Sequence, residues 1–247
     1  GKSMYIHNPV PELSTAENFL RLIRFDGNYT HLEAQILDLA LILHAEHGGG
    51  NNSSLTVHVV SSADTDTYSA IAAAVGSLKG RRHGGANIRV VEMMDDIKAN
   101  VKDWSDEKAI REYLTKIASR KAFDKTGLIY GMGHAIYTIS DPRAILLNEL
   151  AEKLAKEKNA LDEFNLYKRI ERIAPEVLYS IHGTGKQICA NVDFFSGFVY
   201  TMLGIPRELY TPLFAISRVA GWSAHRIEEV SAGGRIYRPA YKNVCPE

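Results

Sequence analysis

Helix-start signals recur along this chain, whereas strand signals are scarce. Residues 14–17 read STAE and residues 30–33 read THLE. Both match the capping box, in which a Ser or Thr and a Glu three residues later satisfy the first unpaired N–H groups of a helix. Apolar residues then recur at helical spacing until the glycines at 48–50, where a helix cannot continue. The pattern predicts a helix from Thr30 to about Glu46.

Similar boundary signals predict further helices. Asp141 before Pro142 is typical of a cap residue and the first helical position, and Gly80 closes an apolar run. Pro175 is expected to break or kink the helix that contains it. The predicted helices cover residues 66–79, 105–121, 141–158, 164–182, 193–203 and 211–230.

Two segments alone carry a strand signal. Residues 54–62 are rich in β-branched side chains, and residues 234–241 suit a short extended tail. Strands and helices do not alternate, so a parallel sheet is not expected. The predicted fold class is therefore all-α.

Composition excludes several classes of protein. The 247 residues carry 29 Lys plus Arg and 29 Asp plus Glu, which is not the basic field of a nonspecific nucleic-acid binder. The longest apolar runs, such as residues 39–43, are too short to cross a bilayer. Cys189 and Cys245 form no CxxC, so we expect a reduced, cytoplasmic compartment. The opening GKSM is unlike a natural start and suggests a tag remnant or an internal cut.

Two glycine-rich segments resemble nucleotide-binding loops but do not match them. Residues 183–186 read GTGK, but Ser180 lies at the first glycine position and Gln187 replaces the magnesium-binding Ser or Thr. In the GMG of residues 131–133, the third glycine of a dinucleotide motif is replaced by Ile136. Neither segment predicts a nucleotide fold.

Three histidines offer a metal-site alternative. His44 and His47 lie three residues apart near a helix end, and His58 supplies a third imidazole. The spacing is not HExxH, and no carboxylate stands in the position of the usual base. We favour structural histidines or an anion contact at the helix end, and predict no metal.

Four clusters place His, Asp or Arg beside glycines or at helix starts, where backbone can approach a ligand closely. Together they supply histidines and a carboxylate for proton transfer and arginines for carboxylate recognition. The clusters are KGRRHGGAN at 79–87, GMGHAIYTISDPR at 131–143, NVDFFSG at 191–197 and ISRVAGW at 216–222.

Asp193 and Arg143 both lie at predicted helix starts, and for Asp193 this position allows a purely structural role. Asp193 is placed where it can serve simply as an N-cap. Arg143 lies in the first turn, where the helix dipole disfavours a cation. We interpret that cost as a sign that Arg143 serves an anionic ligand.

The ordered series HAEHGGGN, GRRHGGAN, GMGHAIYTISDPR, NVDFFSG, ISRVAGW and RIYRPAY resembles the C-terminal part of citrate synthase over nearly the whole chain. The resemblance implies a helical, two-domain acyltransferase of the tricarboxylic acid cycle. Such an enzyme condenses acetyl-CoA with oxaloacetate through an enolate, and thioester hydrolysis then yields citrate and CoA. It implies Asp193 as the base on the acetyl methyl, His83 as hydrogen-bond donor to the thioester oxygen, and His134 as the group that polarises the oxaloacetate ketone.

The resemblance also implies the binding residues. Oxaloacetate would be held by His47 and by the guanidinium forks of Arg143, Arg218 and Arg238. The backbone at Gly131 and Gly133 would face CoA. No metal or redox cofactor is implied, because CoA enters as a co-substrate, and neither nucleic acid nor membrane is an expected partner. The paired cations Arg81 and Arg82 suit either the CoA phosphates or a solvated surface.

The family pattern further implies a homodimer in which Arg238 reaches the partner's site. It assigns residues 1–85 and 205–247 to a large domain and 86–204 to a small domain that closes over oxaloacetate. Members carry a long helical stretch ahead of the point where this chain begins. We therefore expect a partial large domain with a complete small domain. Two alternatives stay open, a 2-methylcitrate synthase using propionyl-CoA and a noncatalytic fragment that binds ligand without turnover.

Overall fold

Helices account for the regular structure of the part of the chain that the computed structural model describes, residues 6–80, 83–134, 137–183, 187–240 and 242. Within it no strand forms, and one isolated antiparallel bridge joins Met132 and Ala190. The all-α prediction is confirmed. The helices are α1 (Thr15–Ile23), α2 (His31–His44), α3 (Asn52–Ser61), α4 (Thr67–Leu78), α5 (Ala86–Asn100), α6 (Glu107–Ala118), α7 (Pro142–Glu157), α8 (Leu161–His182), α9 (Val192–Met202) and, after a 3₁₀ turn at Arg207–Leu209, α10 (Tyr210–Ala232).

Both predicted capping boxes are present. The Ser14 amide donates to Glu17 Oε2 at 2.8 Å, and the Glu17 amide donates to Ser14 Oγ at 3.2 Å. Thr30 and Glu33 make the same reciprocal pair, with identical distances of 2.8 and 3.2 Å. Asp141 caps α7 by accepting from the Arg143 amide at 3.0 Å. These starts are fixed by local side-chain chemistry, which explains why the sequence predicts them.

The strand signal at residues 54–62 is wrong, because this segment forms most of α3. The Asn51 side chain caps the helix by accepting from the Ser53 amide at 3.1 Å. Val57 is fully buried in a cluster with Ala74 and Trp222. The β-branched residues disfavour a helix by well under about 1 kcal/mol each, and the burial of this helical face outweighs that preference.

Two other helices differ from the sequence expectation. Helix α8 runs through Pro175 without interruption, so a break there is wrong; buried Ile173 and Val177 anchor the helix on both sides of the proline. Helix α5 was not predicted. Its N-cap residue, Gly85, makes no side-chain capping bond, which leaves no start signal in the sequence.

The chain divides into two compact units. One contains the residues up to Leu43 together with Gly85–Pro212, and the other contains His44–Gly84 and the residues from Leu213 on. The predicted large domain of residues 1–85 and 205–247 and the predicted small domain of residues 86–204 stay a prediction.

The first unit has its core around α9. Helices α5 and α7 pack on α9, while α6 packs on α8. Gly197 of α9 permits the approach of α5, because a Cβ at this position would lie 2.8 Å from the Val91 side chain. Aromatic side chains fill the core around Tyr167, whose ring makes edge contacts with Phe194 and Phe198.

The second unit is built on α3 and α4, which pack closely together. Trp222 of α10 is fully buried in the same core as Val57, Ala74 and Leu78. Gly221 is required beside it, because a Cβ there would collide with the Ala45 carbonyl and the Glu46 carboxylate. In neither unit do the described residues include a helix long and apolar enough for a bilayer crossing.

Candidate active site

His134, Arg143 and Asp141 form a polar cluster at the start of α7. The Arg143 guanidinium binds Asp141 at two points, with Nε to Oδ1 at 3.0 Å and Nη2 to Oδ2 at 2.8 Å. The same Nη2 lies 3.3 Å from His134 Nε2. Asp141 is buried and also accepts from the Val192 amide at 3.2 Å. The cluster therefore fixes Arg143 and ties the starts of α7 and α9 together.

A hydrogen-bond donor faces each ring nitrogen of His134. The Tyr137 amide lies 3.3 Å from Nδ1 and Arg143 Nη2 lies 3.3 Å from Nε2, and both groups only donate. A neutral imidazole has one acceptor nitrogen, so the ring can accept only one of these two hydrogen bonds. Burial lowers the pKa of His134 and the Arg143 charge lowers it further, against an opposing effect of Asp141. His134 is thus an imidazole with a lowered pKa, placed directly beside the Arg143 guanidinium.

The glycines of residues 131–133 hold His134 in place. The Gly133 amide donates to the Cys189 carbonyl at 2.7 Å, and the Gly131 carbonyl accepts from the Asn191 amide at 2.9 Å. Gly131 has φ +80°, and a Cβ there would lie 2.8 Å from the Phe194 ring. These glycines have packing and backbone reasons to be glycine. Their predicted contact with CoA stays a prediction.

Asp193 lies in the first turn of α9, but it is not the cap residue. Asn191 is the N-cap, and its side chain accepts from the Asp193 amide at 3.0 Å. The N-cap interpretation of Asp193 is therefore wrong. Its half-buried carboxylate lies near the positive end of the helix dipole, which favours negative charge.

In the second unit, His47 and Arg218 are neighbours. Arg218 Nη1 lies 3.2 Å from His47 Nδ1, and the side-chain nitrogen Nδ2 of Asn51 lies 3.3 Å from His47 Nε2. Arg218 has 0% exposure, its Nε donates to the His44 carbonyl at 2.6 Å, and its guanidinium stacks 4.6 Å from the centre of the Phe214 ring. A buried arginine held at this many points offers a preorganised cation for a carboxylate.

His83 is held by Ser53. Its Nε2 lies 3.0 Å from Ser53 Oγ, and Ser53 Oγ lies 2.7 Å from Asn51 Oδ1. Burial lowers the pKa of His83, and the Arg218 charge lowers it further. His83 is therefore neutral near pH 7, the form in which one ring nitrogen donates while the other accepts.

Arg238 lies on the segment that follows α10. Residues 234–240 are neither helix nor strand, and Tyr241 lies outside the described residues. The Tyr237 amide donates to Ser62 Oγ at 3.1 Å and its hydroxyl donates to Glu229 at 2.8 Å. These contacts fix the segment next to Arg238, whose own side chain is exposed.

The alternative of a metal site on His44, His47 and His58 is wrong, because these three histidines do not form a group that could hold a metal ion among the described residues. His44 packs edge-on against Phe214, with ring centres 5.0 Å apart. His58 instead binds Glu229 and lies beside His225. The paired cations at 81–82, Lys186 of the GTGK segment and Cys245 lie outside the described residues.

A comparison with protein families decides the assignment. The family model described as citrate synthase, C-terminal domain, matches residues 1–240. The chain belongs to the citrate synthase family. The resemblance drawn from the sequence motifs is confirmed.

Citrate synthases from several bacteria are similar to this chain. That of Synechocystis is 38% identical over 94% of this chain and 53% of its own length, and that of Acidithiobacillus ferridurans is 40% identical over 94% and 55%. A 2-methylcitrate synthase of Shewanella oneidensis is 39% identical over 87% and 52%. The chain spans about half the length of the curated relatives it matches.

Solved citrate synthase structures share the fold. The enzyme of Pyrobaculum aerophilum aligns with a TM-score of 0.80 at 33% identity, over 98% of this chain and 56% of its own. A Thermoplasma acidophilum citrate synthase, solved as a ternary complex with carboxymethyl coenzyme A and oxaloacetate, aligns with a TM-score of 0.78 at 32% identity, over 97% and 59%.

Three residues of the candidate site were not singled out from the sequence for a role in it. Asp141 holds Arg143, Ser53 contacts His83, and Asn51 contacts both His47 and Ser53. Asp141 stands two residues before Arg143, so the DPR triplet carried a usable signal. Ser53 and His83 are 30 residues apart, and nothing in the sequence pairs them.

Proposed function

We propose that this member of the citrate synthase family carries the residues that condense acetyl-CoA, oxaloacetate and water into citrate and CoA. The observation that carries the proposal is the His134 ring, which lies 3.3 Å from an Arg143 guanidinium held by the buried Asp141 carboxylate. An imidazole beside a guanidinium suits a keto acid, because the guanidinium can bind its carboxylate and a protonated ring nitrogen can donate to its ketone oxygen. Polarising the ketone oxygen makes the adjacent carbon open to attack.

A second pair supports oxaloacetate as the substrate. This substrate has two carboxylates, and Arg218 beside His47 supplies a further buried cation for one of them. Arg143 and Arg238 are the remaining arginines proposed to bind carboxylate. We also propose that Arg238 acts in the partner subunit of a homodimer.

The proposed base for the acetyl methyl is Asp193. A methyl group beside a thioester is a weak acid, so its enolate needs a hydrogen bond as the charge develops. We assign that bond to His83, whose ring is held by the contact of its Nε2 with Ser53 Oγ at 3.0 Å. The enolate carbon attacks the oxaloacetate ketone, and water then cleaves the thioester, which leaves citrate and CoA.

No group beyond these side chains and the two substrates takes part in the proposed reaction. CoA is a co-substrate, and Gly131 and Gly133 are proposed to lie beside it. The proposed setting is the cytoplasm, within the tricarboxylic acid cycle.

The test is release of the CoA thiol from acetyl-CoA plus oxaloacetate by this chain, beside an Asp193→Asn variant. We expect release that falls by at least about 1,000-fold in the variant while oxaloacetate binding, measured by calorimetry, persists. Equal rates in the two proteins would refute Asp193 as the base. Oxaloacetate binding without any release would support the noncatalytic alternative for this chain.

A 2-methylcitrate synthase is the second candidate, favoured by the 39% identity to the Shewanella oneidensis enzyme. Propionyl-CoA adds one methylene, which changes specificity by only about 1–3 kcal/mol. The ratio of kcat/KM for acetyl-CoA and propionyl-CoA decides between them, since a ratio above one supports citrate synthase and a ratio below one supports the alternative.

A further inference from the structure

Two neighbouring histidines, His58 and His225, are not assigned a part in the proposed reaction. His58 of α3 and His225 of α10 stand with ring centres 5.0 Å apart, and His58 Nε2 lies 3.2 Å from His225 Nδ1. Both side chains are largely buried, with exposures of 15% and 14%. The pair joins two helices of the second unit.

Each ring is oriented by a carboxylate on its far nitrogen. His58 Nδ1 lies 2.8 Å from Glu229 Oε2, and His225 Nε2 lies 2.9 Å from Glu46 Oε1. Because a carboxylate only accepts, these outer nitrogens must donate. Glu229 is itself held by the Tyr237 hydroxyl at 2.8 Å. A histidine that binds a metal almost always gives its other N–H to a carboxylate, carbonyl or water, and both histidines here fit that pattern.

The inner nitrogens then pose a chemical problem that a cation solves. With their outer nitrogens protonated, neutral rings direct two lone pairs at each other across 3.2 Å. Lone pairs at that distance repel unless a proton or a metal ion lies between them. Two nitrogens bound to one zinc at its usual 2.0–2.1 Å in a tetrahedral site are roughly 3.3 Å apart. The observed separation of 3.2 Å fits two ligands of one ion as well as it fits two nitrogens that share a proton.

A third ligand is adjacent. Glu228 Oε2 lies 3.5 Å from His225 Nδ1, and the three ligand atoms of His58, His225 and Glu228 lie within 4.8 Å of one another. Glu228 is 72% exposed, so an ion can enter from its side. Gly49 leaves room beside the pair, because a Cβ there would lie 3.2 Å from His58 Nε2.

We propose that His58, His225 and Glu228 bind a divalent transition-metal ion of the zinc class, with water completing the coordination. Two imidazoles and one carboxylate suit zinc, nickel or cobalt, whereas Mg²⁺ prefers oxygen ligands alone. The ion would link α3 to α10 and so stabilise the second unit. None of these three ligands is a residue of the proposed reaction, so the test needs no turnover.

The test is calorimetric titration of the metal-free chain with ZnCl₂, beside absorption spectroscopy with CoCl₂. We expect one Zn²⁺ per chain and visible Co²⁺ bands of a low-symmetry site, with no binding of MgCl₂ at the same concentration. His58→Gln and His225→Gln should each weaken Zn²⁺ binding at least about tenfold. Glu228→Gln should weaken it as well, and since this side chain is exposed the variant should keep the wild-type circular dichroism spectrum.

Matched controls distinguish this site from adventitious binding to surface histidines. His31→Gln and Glu149→Gln remove exposed side chains of α2 and α7 and should leave Zn²⁺ affinity unchanged. The proposal is overturned if wild type binds no Zn²⁺ up to millimolar concentration. It is equally overturned if Glu228→Gln and His58→Gln both bind Zn²⁺ as wild type does.

Discussion

Arg143 and Asp141 form a two-point ion pair at the first turn of α7, with nitrogen–oxygen distances of 3.0 and 2.8 Å. The pair changes the interpretation of Arg143. A cation at a helix start is disfavoured by the helix dipole, and from the sequence that cost pointed to a ligand. The buried Asp141 carboxylate offsets the cost locally. The case for a ligand rests instead on the His134 ring, which lies beside the guanidinium.

Asp141→Asn is the first prediction. The variant removes the charge partner of a largely buried arginine, and breaking such a pair costs roughly 3 kcal/mol. Arg143 should also lose its fixed orientation, so oxaloacetate should bind at least about tenfold more weakly. Urea unfolding and calorimetry measure the two effects. The control Asp38→Asn, at an exposed position of α2, should change neither the free energy of unfolding nor the oxaloacetate affinity. An unchanged oxaloacetate affinity in Asp141→Asn would exclude Asp141 as a positioning residue.

Arg218→Lys should keep the fold and lose most activity. Lysine supplies the charge but cannot place one nitrogen on the His44 carbonyl and another beside His47, as the guanidinium does. We expect kcat/KM to fall at least about 100-fold, equivalent to about 2.7 kcal/mol of transition-state stabilisation. Circular dichroism checks the fold. Near-normal kinetics would remove Arg218 from the site.

Ser53→Ala tests how His83 is held. Without the hydroxyl 3.0 Å from its Nε2, the ring loses the contact that fixes its orientation and tautomer. We expect kcat to fall about tenfold or more while oxaloacetate affinity stays within twofold, because His83 is assigned to the thioester. Ser54→Ala is the matched variant one residue on, and its kcat should remain close to wild type. A loss of oxaloacetate binding in Ser53→Ala would place Ser53 elsewhere in the mechanism.

The pKa values of His83 and His134 predict an acid-sensitive protein. Burial is the main cause that lowers both, followed by Arg218 for His83 and Arg143 for His134. A histidine whose pKa is lower in the folded state than its ordinary 6.5 binds its proton more readily when unfolded. The contribution of these two histidines to the free energy of unfolding is therefore complete above pH 6.5. It is lost as the pH drops through the folded-state pKa values. NMR titration of the ring resonances, assigned with His83→Asn and His134→Asn, should place both midpoints below 6.5; a midpoint above it contradicts the assignment.

Local chemistry explains which parts of the fold the sequence could predict. Capping boxes and the Asp141–Pro142 start involve residues two or three apart, so the printed order of residues contains the whole interaction. Helix α3 was mistaken for a strand because its stability comes from burial against Trp222, which is far away in the sequence. Propensity is a weak signal wherever such burial decides the outcome.

The candidate site divides in the same way. Family motifs supplied His47, His83, His134 and Asp193, because each stands in a recognisable run of residues. The contacts between His58 and His225, 167 residues apart, could not be found from spacing. Long-range pairs become visible only when the helices that carry them are packed.

The last prediction concerns the acid stability of the first unit. Glu33 is only 2% exposed, and it binds Arg24 at 2.6 and 3.0 Å and Lys158 at 2.6 Å. Burial alone would raise the pKa of Glu33, but these hydrogen bonds, with that of the Thr30 amide, outweigh burial and lower it to about 2 from 4.5. A carboxylate with a depressed pKa stabilises the folded state fully above pH 4.5, and the contribution is lost as pH falls toward about 2.

Glu33→Gln should therefore destabilise the chain by roughly 3 kcal/mol at pH 7, since each pKa unit corresponds to about 1.4 kcal/mol. The difference in free energy of unfolding between variant and wild type should shrink to about half at pH 3. At that pH the Glu33 carboxylate is largely protonated in the unfolded wild type but still ionised in the folded protein. Urea unfolding at both pH values measures it, with Glu149→Gln as the exposed control that should match wild type. A difference of the same size at pH 3 and pH 7 would show that Glu33 stabilises the fold through packing instead of its charge.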